Sequence, residues 1–140
     1  MERQIALFDA RIEARTHPFG AARTRLDTIT GVARRSPEQI LAELGDDMSH
    51  FPTAAHAASL AGVCPGNHGS AFRRKSGKTR KGNRWLRATL VECARGATRA
   101  QHSYCAAQCR RLAARRGDKQ AIVAVGHSIL GAPGTSCATE

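Results

Sequence analysis

Large aliphatic and phenylalanine side chains are scarce in this chain: Leu, Ile, Val and Phe together supply 24 of 140 residues, whereas Ala alone supplies 25. That imbalance constrains the fold more than any single motif does. Alanine is the best helix former but buries little area, and at roughly 25 cal/mol per Å2 of apolar surface the core contribution is small for the length. A chain of 140 residues makes one ordinary domain or two very small ones, and is too short for a barrel enzyme or a dinucleotide fold with a substrate domain. The expectation is a small all-α domain with a thin core.

Apolar periodicity agrees with this. Ile5, Phe8 and Ile12 recur at helical spacing, so residues 2–16 read as an amphipathic helix stopped before Pro18. A second helical piece covers roughly residues 21–29 and enters a turn at Gly31, where glycine tolerates a tight backbone. Ser36, Pro37 and Gln39 form a strong helix start, as N-cap, first helical residue and capping-box partner, followed by the apolar Ile40, Leu41 and Leu44 and a stop at Gly45. Thr53 is placed to cap a short alanine-rich helix through Leu60, ending at Gly62.

Residues 63–83 hold Pro65, Gly66, Gly69, Gly77 and Gly82 and read as a long basic loop. Helix resumes near Asn83 with Leu86, Leu90 and Cys93 on one face, and a further helix spans about Thr98 to Arg116 before Gly117. The last helix starts at Asp118 as N-cap and carries Ile122, Val125 and Ile129. The segment GAPGTSCATE, residues 131–140, lacks periodicity and reads as a disordered tail.

Charge is distributed as unevenly as size. Against 22 Lys+Arg stand 11 Asp+Glu, a net charge of +11, which suits a polyanionic partner and fits enzymes of acidic substrates or binders of neutral metabolites less well. Residues 1–63 carry a net −1 and residues 64–140 a net +12. Between Ser70 and Arg87 lie Arg73, Arg74, Lys75, Lys78, Arg80, Lys81, Arg84 and Arg87 with no acid among them, interleaved with Gly77, Gly82, Ser76 and Thr79. Glycine-spaced cations let both backbone amides and side chains approach phosphates, and Trp85 stands close enough in sequence to pack or stack there. The plain alternative is a solvated charged loop; so many uncompensated charges in so short a stretch favour nucleic-acid contact.

Other chemistries find less support. The five cysteines contain no CxxC pair and read as buried or inert thiols rather than a metal site, which needs about four convergent ligands. Gly77-Lys78-Thr79 looks like the end of a phosphate loop, but Phe72 stands where that motif requires glycine and no strand is evident before it. No apolar run of about 18 residues and no basic-then-apolar leader is present, so the expected location is the cytoplasm, with no membrane partner. The stretch from Leu26 to Val32 is compatible with a helix-hairpin-helix-like turn offering backbone amides to a phosphate, and equally with a merely structural turn. Ser70 is open to two readings as well: an ordinary loop serine, or a hydroxyl that attacks a phosphodiester beside clustered guanidinium groups.

The segment HFPTAAHAASLAGVCPGNHGSAFRRKSGKTRKGNRWLRATLVECARGATRA, continued by RLAARRGDKQAIVAVGHSIL, resembles the C-terminal half of insertion-sequence transposases related to the pilin-gene invertase. In that family a nucleophilic serine lies five residues after the proline of a glycine-x-x-proline segment; counted from Gly62 and Pro65, this is Ser70. Lys81, Gly82, Asn83, Leu86 and Arg87 match the family's lysine, glycine, asparagine and leucine-arginine signature. The turn at Leu26 to Val32 matches its helix-hairpin-helix-like entry, with Thr30 at the usual proline and Ala33 at the usual second glycine.

The resemblance implies a linker helix over residues 1–17, a transposase C-terminal domain over 18–130 and a disordered or frameshifted tail over 131–140. Ser70 would be the catalytic nucleophile, with Arg73, Arg74, Lys75, Lys78, Arg80, Lys81, Asn83, Arg84 and Arg87 contacting DNA. The family's RuvC-like domain, whose acidic residues hold a divalent metal, finds no counterpart in this sequence. The chain is therefore expected to be a fragment that holds no metal of its own, with Mg2+ entering only with that domain. Expected partners are DNA, a guide RNA, a RuvC-like domain supplied in trans and further copies of the chain. A non-catalytic nucleic-acid-binding remnant is the competing expectation.

Overall fold

The computed structural model describes residues 1–33, 35–65, 68–70, 73–76 and 78–131, with the backbone alone for Met48 and the two strands. The order is α1 (Glu2–Thr16), α2 (Gly20–Asp27), α3 (Ser36–Leu44), α4 (Ala54–Leu60), β1 (His68–Ser70), β2 (Arg73–Ser76), α5 (Arg84–Arg99), α6 (Tyr104–Arg116) and α7 (Asp118–Leu130), with single 3-10 turns at His17–Phe19 and Met48–His50. Helices make the core, as the composition requires. The expected tail beyond Gly131 lies outside the described residues.

Helix α5 is the axis of the domain. Leu86, Leu90, Cys93, Ala94 and Ala97 are buried along it, facing Ile40, Leu41 and Leu44 of α3 and Val125, Ile129 and Leu130 of α7 within one cluster. Few of these side chains are large, so burial depends on close approach of backbones. Gly31, at φ +89, lies against the Cys93 carbonyl and Ala97 of α5, where an added Cβ would overlap with both. Gly96, on the same helix, meets the Gly31 backbone, and Gly126 packs on Leu90.

Several local starts differ from the sequence reading. α3 begins with Ser36 already helical and Arg35 as its N-cap, with no side-chain cap; Gln39 accepts a hydrogen bond from Thr89 Oγ1 at 2.9 Å, which engages it across to α5. α7 likewise takes Gly117 as its N-cap, one residue before Asp118. Thr53 is the N-cap of α4 but makes no side-chain cap bond, its hydroxyl pairing with His56 Nδ1 at 2.9 Å. The helix read from about Thr98 begins only at Tyr104, because His102 adopts φ +61 and Ser103 caps α6 by accepting from Ala106 N at 3.1 Å.

The larger correction concerns residues 63–83. In place of the expected open loop they carry an antiparallel pair, β1 with β2, in which His68, Gly69 and Ser70 oppose Ser76, Arg74 and Arg73, with an irregularity between His68 and Gly69. Pro65 and Thr79 form a further bridge below it. Pairing satisfies backbone groups that a loop would leave to water. The sequence conceals it because neither strand alternates apolar with polar residues.

α1 contrasts with the rest. Its stripe of Ile5, Phe8 and Ile12 is helical as expected, yet no residue of the helix is buried and Phe8 is 65% exposed. Arg35 holds it, donating from one Nη to both oxygens of Asp9 at 2.9 and 3.0 Å.

Candidate nucleic-acid interface

Two glycines and one asparagine set the base of the basic segment. Gly62, at φ +68, and Gly82 approach so closely that a Cβ on Gly82 would overlap with the Gly62 amide. The Asn83 amide donates to the Leu60 carbonyl at 2.7 Å, so the chain leaves the end of α4 and returns beside it. Between these points, the Pro65–Thr79 bridge and the β1–β2 pair hold a hairpin on a narrow stem.

Asn83 then launches α5. Its Oδ1 accepts from the Trp85 and Leu86 amides at 2.9 and 3.2 Å, satisfying donors that a helix start leaves open. Its Nδ2 donates to Glu43 Oε2 of α3. The Asn83 side-chain amide is thus engaged at both ends within the fold, fixing the direction in which α5 and the returning strand leave the domain. This is the asparagine that the family resemblance places at the DNA, and its side-chain bonds anchor it to α3 and to the first turn of α5.

Around this stem the charge is of one sign. No carboxylate side chain occurs in residues 48–91, and Glu43 is turned to Asn83. Lys78, Arg80, Lys81 and Arg84 are exposed and Arg87 is half-buried. Arg84 lies over the Trp85 ring at 5.1 Å from its centroid, a cation–π distance, and Trp85 itself is 66% exposed. Arg73, Arg74 and Lys75 belong to β2, and the register sets Ser70 opposite Arg73. Directly opposed residues of an antiparallel pair have Cα atoms roughly 4.5–5.5 Å apart. Ser70 and the first cation of the run are therefore neighbours across the hairpin, and the register names Arg73 as the cation opposite Ser70.

The α2–α3 turn serves packing first. The Ile29 and Val32 amides donate to Leu26 and Ile29 carbonyls at 3.1 and 3.0 Å, and Gly31 is pressed on α5. Among the described residues no group of His, Cys, Asp and Glu could hold a metal ion. Burial pushes the Cys93 thiol up from its ordinary value, partly offset by a hydrogen bond with Ser36, and burial also raises Cys105. Neither thiol is a ready nucleophile, since the thiolate is the reactive form. No helix among the described residues is long and apolar enough to cross a membrane.

Comparison with curated proteins and with solved structures gave no match. A family profile does match, over residues 23–110, a span that runs from α2 through the hairpin and α5 into α6 and takes in every part of the stem. The match covers more than half of the chain, which therefore belongs to the transposase family IS116/IS110/IS902.

Proposed function

We propose that the chain is the DNA-contacting, serine-bearing domain of a transposase, with the hairpin and the start of α5 as its grip on the sugar–phosphate backbone. The observation that carries this is a carboxylate-free stretch, residues 48–91, folded back on a pinned stem inside the family-matched span. A polyanion draws such a surface through counterion release, independently of base sequence. Arg73, Arg74, Lys75, Lys78, Arg80, Lys81, Arg84 and Arg87 act as backbone contacts. Trp85, exposed beside them, offers a face for an unstacked base.

Ser70 is the proposed nucleophile. Its Oγ forms a bond to a DNA phosphorus while the bond from that phosphorus to one sugar oxygen breaks; the serine proton ends on the departing sugar hydroxyl, and a phosphoserine link remains. Arg73, across the hairpin, supports the added charge on the phosphorus oxygens. The RuvC-like domain of the family, with its metal, is a proposed partner for strand breakage, and a guide RNA is a second polyanion for the same surface. Residues 18–130 are proposed as the working domain, with 1–17 as a linker helix.

The test is to trap a covalent protein–DNA adduct with a family RuvC-like domain, magnesium and guide supplied, and to repeat it with Ser70→Ala and Ser76→Ala. Loss of the adduct only with Ser70→Ala, at unchanged DNA affinity, is the expected result. An adduct that survives Ser70→Ala overturns the assignment. Tight, salt-sensitive binding with no adduct in any combination would make the domain a binding module without catalysis.

A further inference from the structure

α6 carries a second cationic surface, on an element distinct from the hairpin. Its inner side is fixed in the fold: Ala106 is buried, Cys105 and Cys109 pack against the core, and Gln108 donates to Ser128 of α7 at 2.9 Å. The opposite side presents Tyr104, Ala107, Arg110, Arg111, Ala114 and Arg115, all exposed, at the three-, four- and seven-residue intervals that share one face of a helix. Tyr104 is 71% exposed. No acid stands between Glu92 and Asp118 in the sequence, and among the described residues none of these arginines forms an ion pair with a carboxylate.

Helix stability does not explain the pattern. Arginine in the last turn complements the helix dipole, which accounts for Arg115 and Arg116. Arg110 and Arg111 lie a turn earlier, and like charges four apart, as at Arg111 and Arg115, weaken a helix rather than adding to its stability. A membrane surface is a poor occupant, because a helix lying in the headgroup region needs large apolar side chains on the face it buries. Here that face offers alanine methyls and one tyrosine. Small residues between arginines let a helix lie close to a phosphate backbone while guanidinium groups reach to either side.

We propose that the outward face of α6 is a second nucleic-acid contact, taking the sugar–phosphate backbone of a duplex without reading its sequence. The proposal rests on the assignment of the chain as a DNA-contacting domain and adds a surface that the hairpin does not include. It makes the domain bivalent toward DNA, with the hairpin and α6 neutralising separate phosphates.

The experiment measures affinity of the full chain for a mixed-sequence duplex across a salt series. The variants are Arg110→Gln/Arg111→Gln/Arg115→Gln, the corresponding triple change to Lys, and Arg73→Gln/Arg74→Gln/Lys75→Gln. The α6 Gln variant should lower the slope of log affinity against log salt by about 0.9 for each phosphate it no longer neutralises, up to about 2.7 for three. The Lys variant should keep the parent slope, and the α6 and hairpin effects should add. Parent-like binding by the α6 Gln variant at every salt, while the hairpin variant weakens, overturns the α6 proposal and leaves the hairpin grip standing. Weakening confined to the α6 variant does the reverse. An equal weakening in the Lys variant with a lowered melting midpoint would assign the arginines to the fold and overturn the proposal. So would binding to phosphatidylglycerol vesicles that the Gln change abolishes while DNA affinity stays constant.

Discussion

α1 and α5 are almost the same length, 15 and 16 residues, yet they use apolar side chains in opposite ways. α1 holds Ile5, Leu7, Phe8 and Ile12 and leaves all of them exposed. α5 buries two leucines, one cysteine and two alanines and is the axis of the domain. A chain short of large aliphatics has thus placed several of them outside its core, and closes that core by backbone approach. Gly31 and Gly126 come against α5, and Gly96 of α5 meets the Gly31 backbone, so each small residue contributes contacts that a large side chain would make at longer range.

The largest break in this contrast should come from Gly31→Ala. The new methyl overlaps with the Cys93 carbonyl and Ala97, and φ is +89, a conformation that costs an L-residue roughly 1–2 kcal/mol before any clash. A drop of about 4 kcal/mol or more is expected in urea denaturation, a large share of the stability of a domain this size. A change under about 1 kcal/mol would show that α5 is not closed by backbone contact.

Next in size is the pair Leu90→Ala and Phe8→Ala. Leu90 is fully buried on α5, and its truncation should cost about 2–5 kcal/mol. Phe8, larger but open to solvent, should cost no more than about 0.5 kcal/mol. Equal costs would mean that α1 packs in solution as tightly as α5.

These contrasts also explain what was legible in the sequence. The helix stops at Gly45 and Gly117 and the start at Asn83 could be read because local backbone chemistry determines them. The Ile5–Phe8–Ile12 stripe was legible as a helix but not as an exposed one, since periodicity reports a face and not what lies against it. Ser36 looked like a cap, but it is already helical and Arg35 takes the N-cap position without a side-chain bond. The break before α6 was hidden because residues 100–103, Ala-Gln-His-Ser, contain no glycine or proline to announce it. At the candidate site the cations could be counted from the sequence. The stem that gathers them could not, because the Gly62–Gly82 approach and the Asn83–Glu43 bond join residues far apart in the chain. The α6 face was missed because its arginines are spread over a helix and do not form a run.

A smaller effect should separate how the two helices are attached. Arg35→Ala removes the ion pair with Asp9, whose side chains are 61% and 36% exposed, and such pairs contribute about 0–1 kcal/mol. Global stability should hardly move. Hydrogen exchange should quicken in α1 and stay constant in α5, because only α1 is held by this ion pair. Added salt should reproduce the effect in the parent by screening the pair. Uniform exchange changes in both helices would mean that Asp9 and Arg35 support the core.

The smallest expected effect concerns the thiol inside α5. Burial raises the Cys93 pKa above its ordinary 9.0, and the Ser36 hydrogen bond opposes this only in part. Unfolded, the thiol loses its proton near the ordinary value; folded, it holds the proton to higher pH. The folded state then binds more protons, so the free energy of unfolding falls as pH rises. This contribution is complete below the unfolded pKa and is lost as pH climbs through the folded one. Denaturation curves should therefore show the parent losing stability more steeply than Cys93→Ala above roughly pH 9, with the two running parallel near neutrality. Parallel curves throughout would place the Cys93 sulfur in contact with water, and α5 would then be a less closed axis than its buried side chains imply.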